Sequence, residues 1–509
     1  MHKRPAEGVP AKLSSKDIIG LIKTKSGVFW SDIGKKKALA LFRQAARRVP
    51  AYGDFLKKNK ISPEKIKNFS DFQLVPPVNK NNYLRQYSLN ELCWDGTLEN
   101  PFVLTATSGS TGEPFYFLRG ERLDWESSVL HELFLLNSRR RKGPVLVIVA
   151  FGMGVWIGGL ITYKAFEIAS RGKNYPVSII TPGINKIEIM NALKKLSPKF
   201  AETIIAGYPP FLKDVVDSAA DEGINLKKLN IRLLFAAEPF TENFRDHIVK
   251  KAGIKNPALD TLNVYGTAEI GTMAYETPTS IMMRRLAVKD KELFRDVFSN
   301  IEKTPTFAQY NPFFVNFEAP EGEILLTGDN SMPLIRYAVG DRGGVYGFDE
   351  ISPILKANGY DIEKEARKNS LKEIYKLPFV YVYERIDYST TLYGLQIYPE
   401  AIREALLKKS LNGFFTGKFT MITKFDKHKD QFLEINLELK KSKKAGENVK
   451  KKTLKEIIAM LREKNSEFRE LHSHLGKRAI PKLVFWEYEH PLFFKQGVKQ
   501  KWVRKNYKK

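Results

Sequence analysis

Cysteine is nearly absent: the chain has one, Cys93, in 509 residues. A lone thiol has no partner within the chain, which excludes a structural disulfide and a thiolate zinc site; a reducing, cytoplasmic setting is expected. The polar stretch Met1 to Ser15 lacks the apolar core of a signal peptide. Long uncharged runs are scarce too. Pro144 to Tyr163 is long enough to cross a bilayer, but Gly152, Gly154, Gly158 and Gly159 interrupt it, and each costs helix propensity. It reads instead as a strand, Val145–Phe151, a glycine turn, and a helix over Leu160–Ala169. No internal repeat or low-complexity tract is visible. With 43% hydrophobic and 28% charged residues the composition is that of a globular protein, neither disordered nor collagen-like. The length allows two to four domains.

Acidic residues are also in deficit, with 57 Asp and Glu against 83 Lys and Arg and a net charge of +26. Such a field favours polyanions: nucleic acid, an anionic membrane or a phosphorylated substrate. Arg385 to Lys509 holds 29 of the bases and 14 of the acids, a net +15. Lys440, Lys441, Lys443, Lys444, Lys450, Lys451 and Lys452 form runs there, followed by the tail Lys499 to Lys509. These runs read as a solvated helix face and loop, or as a nucleic-acid surface. Only the tail, with Trp502 and Tyr507, interleaves the aromatics that a nucleic-acid surface would use.

Along the chain, Lys36 to Val49 has amphipathic helical spacing and Pro50 closes it. Val145–Phe151, Val177–Ile180, Thr203–Ala206 and Ile231–Ala236 read as buried strands, separated by helical patterns at 160–170, 186–195, 210–222 and 241–252. That alternation predicts an α/β layer with a largely parallel sheet. Glu323–Thr327 and Val345–Phe348 read as strands around a turn. Beyond a boundary near Tyr383–Asp387 the pattern becomes α+β: a hairpin-like pair, Phe419–Lys424 and Phe432–Leu439, a helix Val449–Asn465, and a last strand Lys482–Trp486.

Several catalytic patterns fail. No Gly-Lys-Ser/Thr follows the Ser/Gly-rich octet to make a Walker loop, and no Gly-X-Ser-X-Gly elbow is present. His131-Glu132 opens like a zincin motif, but Leu135 stands where the second histidine belongs. His472 and His474 have no cysteine or carboxylate at ligand spacing. The octet Thr107-Ser108-Gly109-Ser110-Thr111-Gly112-Glu113-Pro114 itself remains. Its hydroxyls and two glycines let N–H and O–H donors converge on an anion, chemistry suited to phosphate oxygens. Taken alone, such a stretch is also an ordinary loop.

The octet closely resembles the phosphate-binding loop of the adenylate-forming superfamily, and further segments match in that family's order. Ala236-Ala237-Glu238-Pro239 resembles the adenine-side loop of its phenylacetate–coenzyme A ligase branch. Tyr265-Gly266-Thr267-Ala268-Glu269 is similar to its Tyr-Gly-X-X-Glu motif. Pro333-Leu334-Ile335-Arg336-Tyr337, leading to Gly340-Asp341, is similar to the ribose-binding turn, and Arg385-Ile386-Asp387 matches the interdomain hinge. Gly394 and Pro399 fit the segment after the hinge, and Gly497-Val498-Lys499 resembles the catalytic lysine motif. The resemblance is strongest to the phenylacetate–coenzyme A ligases and their capsule-biosynthesis relatives.

The resemblance implies roles that each have a physical basis. Thr107, Ser108, Gly109, Ser110, Thr111 and Gly112 would hold ATP phosphates. Tyr265, beside Gly266, would stack on adenine, with Ala236, Ala237, Glu238 and Pro239 along the base edge. Thr267 would donate to the α-phosphate, and Glu269 would be the hard carboxylate ligand of Mg2+. Asp341 would accept from the ribose hydroxyls and Arg385 would reach ribose or phosphate. Thr327-Gly328-Asp329 spells the same ribose triplet, but it precedes the Pro-Leu-Ile-Arg-Tyr run, so Asp329 reads as a turn residue. Asp387 would be the hinge, although Tyr388 replaces the second acid usual there. Lys499 would be the catalytic lysine, with Lys501 and Lys495 as rivals. Phe151, Trp156 and Tyr208 would line the acid pocket; large side chains of this kind are also ordinary core. Glu113 stands where the branch often has lysine.

The expectation is therefore an α/β protein with a large N-terminal domain, residues 1–384, and a small mobile α+β domain, 385–509. Its activity would be AMP-forming activation of a carboxylic acid with ATP and Mg2+, with coenzyme A as acceptor, as a monomer or homodimer. Two alternatives stand beside it: an adenylating enzyme with a non-coenzyme A acceptor, and a basic nucleic-acid-binding protein on a degenerate ligase scaffold. No specific nucleic acid and no membrane span are expected.

Overall fold

The computed structural model describes residues 13–100, 102–106, 115–138, 143–171, 175–298, 304–383, 390–411, 413–494 and 503. Four strands follow the pattern read from the sequence, and a fifth, not read there, extends the parallel sheet. In chain order with the two that precede them, they are β1 (Val103–Ala106), β2 (Tyr116–Arg119), β3 (Val145–Ala150), β4 (Val177–Ile180), β5 (Glu202–Gly207), β6 (Ile231–Ala236) and β7 (Thr261–Thr267). The pairs β3–β4, β3–β5, β5–β6 and β6–β7 are all parallel. Helices Ile157–Arg171, Lys186–Lys195, Pro209–Asp221 and Glu242–Ala252 alternate with them. Strands covered on both faces are mainly apolar; every residue of β3 and β5 is buried, and the one charge among them, Glu202, is met by Arg232 at 3.2 Å.

The sheet continues antiparallel through β8 (Gly271–Tyr275), β9 (Thr306–Gln309), β10 (Val315–Glu318), β11 (Glu323–Gly328), β12 (Leu334–Tyr346) and β13 (Phe379–Tyr383). Among the described residues it has 11 strands, in the order β10-β11-β12-β13-β9-β8-β7-β6-β5-β3-β4. One expectation needs correcting here. Of Val345–Phe348 only Val345 and Tyr346 are strand, the end of β12, and Gly347 caps a helix that opens with Phe348. Two others need adjusting. The first long helix runs Gly27–Arg48, and Pro50 opens the next helix at its first position, where the missing N–H costs nothing. The helix expected from Leu160 starts at Ile157 and takes in Gly159, whose absent Cβ would stand 2.5 Å from the Gly152 carbonyl oxygen.

The C-terminal part is α+β. The two-residue turn Tyr393-Gly394 joins β14 (Thr390–Leu392) to β15 (Leu395–Ile397), with φ of 49° and 84° as a tight primed turn demands. β16 (Phe415–Phe425) and β17 (Gln431–Leu439) pair antiparallel, and β18 (Lys482–Trp486) adds parallel to β17. Helices Glu447–Lys464 and Ser466–Leu475 pack there. One buried apolar cluster runs from Val147, Ile205 and Leu234 through Tyr208 to Tyr393, Ile435 and Phe468, joining the parallel sheet to this part. The 384/385 boundary lies outside the described residues. Among the described residues no helix is long and apolar enough to cross a membrane.

Candidate active site

The carboxyl ends of the parallel strands open on one edge, the usual place for a ligand in such sheets. Phe151-Gly152 follows β3, Tyr208 follows β5, Ala237-Glu238 follows β6, and Tyr265-Gly266-Thr267 closes β7.

On the nucleotide side, the Tyr265 hydroxyl donates to Asp341 Oδ2 at 2.7 Å. This bond joins two motifs 76 residues apart. Tyr265 lies half-buried beside Phe317, ring centroids 6.3 Å apart and 29° between planes. A bulge between Tyr265 and Gly266 turns the strand, and a Cβ on Gly266 would stand 2.6 Å from the Gly271 oxygen. Asp329 stands elsewhere: it lies in the β11–β12 connection, paired with Arg122, which also bonds Glu126 at 2.9 Å. Arg336 is buried and structural, held by Glu318 at 3.2 Å and by the Val75 carbonyl.

Glu269, 3% exposed, receives Lys80 Nζ at 2.8 Å and the Tyr337 hydroxyl at 3.2 Å. Asn330 donates to its carbonyl at 3.2 Å. Thr267 Oγ1 lies 3.7 Å from the sulfur of Met273. Sequence reasoning missed Lys80. It opens a short helical turn capped by Asn79, and the Val78 backbone pairs with Arg336 and Ala338 in the segment that leads to Asp341. An isolated lysine in an Asn-rich stretch carries no signal of that placement. Among the described residues no three His, Cys, Asp or Glu gather as a metal cage. One buried carboxylate nevertheless fits Mg2+, which takes most of its ligands from phosphate and water.

The structure brings together Phe151, Trp156 and Tyr208, the residues expected to line an acid pocket. Phe151 and Tyr208 meet edge-on, centroids 5.1 Å apart at 83°. A Cβ on Gly152 would stand 3.1 Å from the Trp156 ring and 3.6 Å from the Tyr208 hydroxyl. Burial pushes the Tyr208 phenol up, against a hydrogen bond with the Gly152 backbone. Trp156 Nε1 is buried without a hydrogen-bond partner among the described residues. The amide of Ala106, at the end of β1, donates to the Val155 carbonyl at 3.0 Å, which ties the stem of the Ser/Gly octet to this turn.

The adenine-side loop has a second set of partners. Ala237 has φ 72°, a left-handed conformation that is costly for alanine. The Glu238 carboxylate accepts the Gly394 amide and Gln431 Nε2, the latter at 3.1 Å, both from the C-terminal part. Gly394 packs against the Tyr208 ring so closely that no Cβ would fit. The octet Thr107–Pro114, Arg385, Asp387, Lys495, Lys499 and Lys501 lie outside the described residues. Their flanks are placed: Ala106 pairs with Tyr116, Phe494 is buried, and Val503 bridges to Met421. His131 is a core histidine, its Nδ1 on the Ser127 carbonyl at 2.7 Å and its pKa pushed down to about 4 by burial.

A scan against protein-family models found no match, and a search of curated proteins found none. Solved structures do match. 2-Hydroxyisobutyryl-CoA ligase in complex with 2-HIB-AMP and CoA, in the thioesterification state, aligns with a TM-score of 0.62 at 17% identity, over 96% of this chain and 92% of that one. The same ligase in the postadenylation state aligns at 0.52 with R3-HIB-AMP (15% identity, 96% and 92% covered) and at 0.52 with 2-HIB-AMP (16%, 99% and 95%). The chain therefore has the α/β fold of the adenylate-forming ligases, completed by a C-terminal α+β domain.

Proposed function

We propose that this chain is an ATP-dependent, AMP-forming ligase that activates an organic acid as acyl-AMP and passes the acyl group to coenzyme A, on the phenylacetate–coenzyme A ligase pattern. The Tyr265–Asp341 bond carries this reading, because it brings a flat aromatic face and a buried carboxylate together, as adenine and ribose require. Tyr265 stacks on the base. Asp341 accepts from the ribose hydroxyls, and Thr267 with the octet donors orients the phosphates.

In the first step a carboxylate oxygen attacks the α-phosphorus, the bond to the bridging oxygen breaks, and pyrophosphate leaves. Glu269 would hold Mg2+, which when bound neutralises phosphate charge. Lys499 supplies a cation where negative charge grows. In the second step the thiol sulfur attacks the acyl carbon, the bond to AMP breaks, and the thiol proton passes to water. Phe151, Trp156 and Tyr208 give the acid an apolar seat, and Gly394 over Tyr208 keeps water from the anhydride. We read the arrangement of the two parts as that of the acceptor step; the better superposition on a thioesterification-state structure than on postadenylation ones supports this.

The test is a pyrophosphate-release screen over short, aromatic and long-chain acids, with mass spectrometry of products formed with coenzyme A or an amine. Acid-dependent pyrophosphate and an acyl-coenzyme A product are expected. Release that ends in an amide would replace the acceptor, and no release with any acid would overturn the reading.

A further inference from the structure

The faces through which the two parts of the chain meet contain a balanced set of charges that the chemistry above does not use. On the helix Pro209–Asp221, Lys213 is 1% exposed and holds Asp217 at 2.7 Å and Asp430 at 2.6 Å. Its neighbour Asp214, 2% exposed, receives Arg478 at 2.7 Å, and Arg478 reaches Asp430 at 3.1 Å. Lys251 completes the set on Asp217. Two ion pairs therefore cross the meeting of the two parts, Lys213 to Asp430 and Arg478 to Asp214, with Asp217 and Lys251 behind Lys213 and the Arg478–Asp430 pair on the other side.

The next residue carries the contact into the site. Gln431 donates to Glu238 at 3.1 Å, accepts the Tyr393 amide at 2.5 Å, and takes the Tyr393 hydroxyl on its carbonyl at 3.1 Å. Gly394 follows, with its amide on Glu238 and its backbone against Tyr208. Asp430 thus stands one residue from the bond that brings the β14–β15 turn onto the adenine-side loop and the acid pocket.

We propose that Lys213 and Asp214 are positioning residues that clasp Asp430 and Arg478, and that this clasp holds the C-terminal domain in the acceptor-step arrangement. The proposal rests on the ligase reading above for which step is favoured. The contact is partly apolar, since the buried cluster through Tyr208 and Tyr393 spans it, and opening it exposes that area to water. The ionic set adds orientation to this face, and charges that part regain hydration, so it adds little net cost to opening. Burial pushes Asp214 up to about 6 although Arg478 and Lys213 pull it down, so this carboxylate is costly to keep ionised without its partners. The Asp430 side chain is free to be changed. The β16–β17 turn is closed by its backbone, with the Asp426 amide on the Asp430 carbonyl at 3.0 Å and the Asp430 amide on Asp426 Oδ1 at 2.9 Å.

The test uses the full chain with Asp430→Lys, which sets a third cation against Lys213 and Arg478, and Asp430→Glu, which keeps the charge. The first readout is amide hydrogen exchange without ligand. In Asp430→Lys the Gly394 amide should exchange at least tenfold faster while β3, β5 and β6 keep wild-type protection; Asp430→Glu should match wild type. Unchanged Gly394 protection overturns the clasp. So does a loss spread evenly over β3, β5 and β6, which would mark Asp430 as fold support only. The second readout uses whichever of acetate, phenylacetate and palmitate releases most pyrophosphate. Asp430→Lys should leave single-turnover adenylation within twofold and slow acyl transfer from supplied acyl-AMP at least tenfold. Equal slowing of both steps overturns the positioning role. If wild type releases no pyrophosphate with any of the three, the ligase reading fails, and the exchange experiment still decides the clasp.

Discussion

Asp341→Asn is the substitution whose effect the site specifies most closely. Asparagine keeps the size of the side chain and an oxygen that can still accept from the Tyr265 hydroxyl, now 2.7 Å from Asp341 Oδ2. What it removes is the charge, at a position only 8% exposed, where water replaces little of it. Hydrogen bonds to a charged group contribute about 1.5–3 kcal/mol each. Weakening one ribose bond by that amount raises the apparent KM for ATP about 10- to 150-fold. Asp329→Asn is the matched control, since Asp329 spells the same motif but sits on Arg122, whose side chain is 49% exposed. Such a pair contributes about 0–1 kcal/mol to stability and touches no nucleotide in this account, so KM should stay within about twofold of wild type. The assay is pyrophosphate release against ATP concentration, with thermal midpoints to confirm that both variants fold. Equal shifts, or a larger one for Asp329→Asn, would refute the assignment of the ribose acid.

Three further outcomes follow from the same site. Lys499→Ala should lower acyl-AMP formation by about 10²-fold, the scale for losing one preorganised partner of the transition state, and Lys501→Ala should change it little; the reverse pattern would move the catalytic lysine by two residues. On the proposed reading, in which Glu269 takes Mg2+, the Lys80 ammonium competes for the same carboxylate, so Lys80→Met should lower the Mg2+ concentration for half-maximal pyrophosphate release; a rise would mean that Lys80 orients the carboxylate instead. Asp214 has a folded pKa raised from 3.8 to about 6, so the fold gains stability from its protonated form at low pH and loses it as pH rises between those values. Asp214→Asn should remove that fall, and an unchanged slope of thermal midpoint against pH from about 4 to 6 would contradict it.

Much of this was legible in the sequence because local chemistry decides it. The continuous apolar run at Val145 and the run at Ile231, broken only by Arg232, read as strands covered on both faces, and the helical stretches between them call for a parallel sheet. Tyr265 and Asp341 were assigned separately, each by its own motif, and they meet. What escaped depends on contacts distant in sequence. Lys80 reaches Glu269 across 189 positions of chain, with no pattern around it. Glu238, expected along the adenine edge, also binds Gly394 and Gln431, a partnership invisible in Ala-Ala-Glu-Pro. The strand ends at Tyr346 rather than Phe348: Phe348 is apolar in either state, while Gly347 and Glu350 form the cap that starts a helix. Gly158 and Gly159 read as a turn, yet both lie inside the helix, Gly158 over Phe151 and Gly159 close to the Gly152 carbonyl.

The most direct measurement of the central claim is carboxylate-dependent exchange of labelled pyrophosphate into ATP, because it reports reversible acyl-AMP formation without any acceptor. Exchange that requires an added acid and is lost in Lys499→Ala, with Asp341→Asn needing more ATP, is the predicted result. A folded protein that exchanges no label with short, aromatic or long-chain acids would contradict the claim.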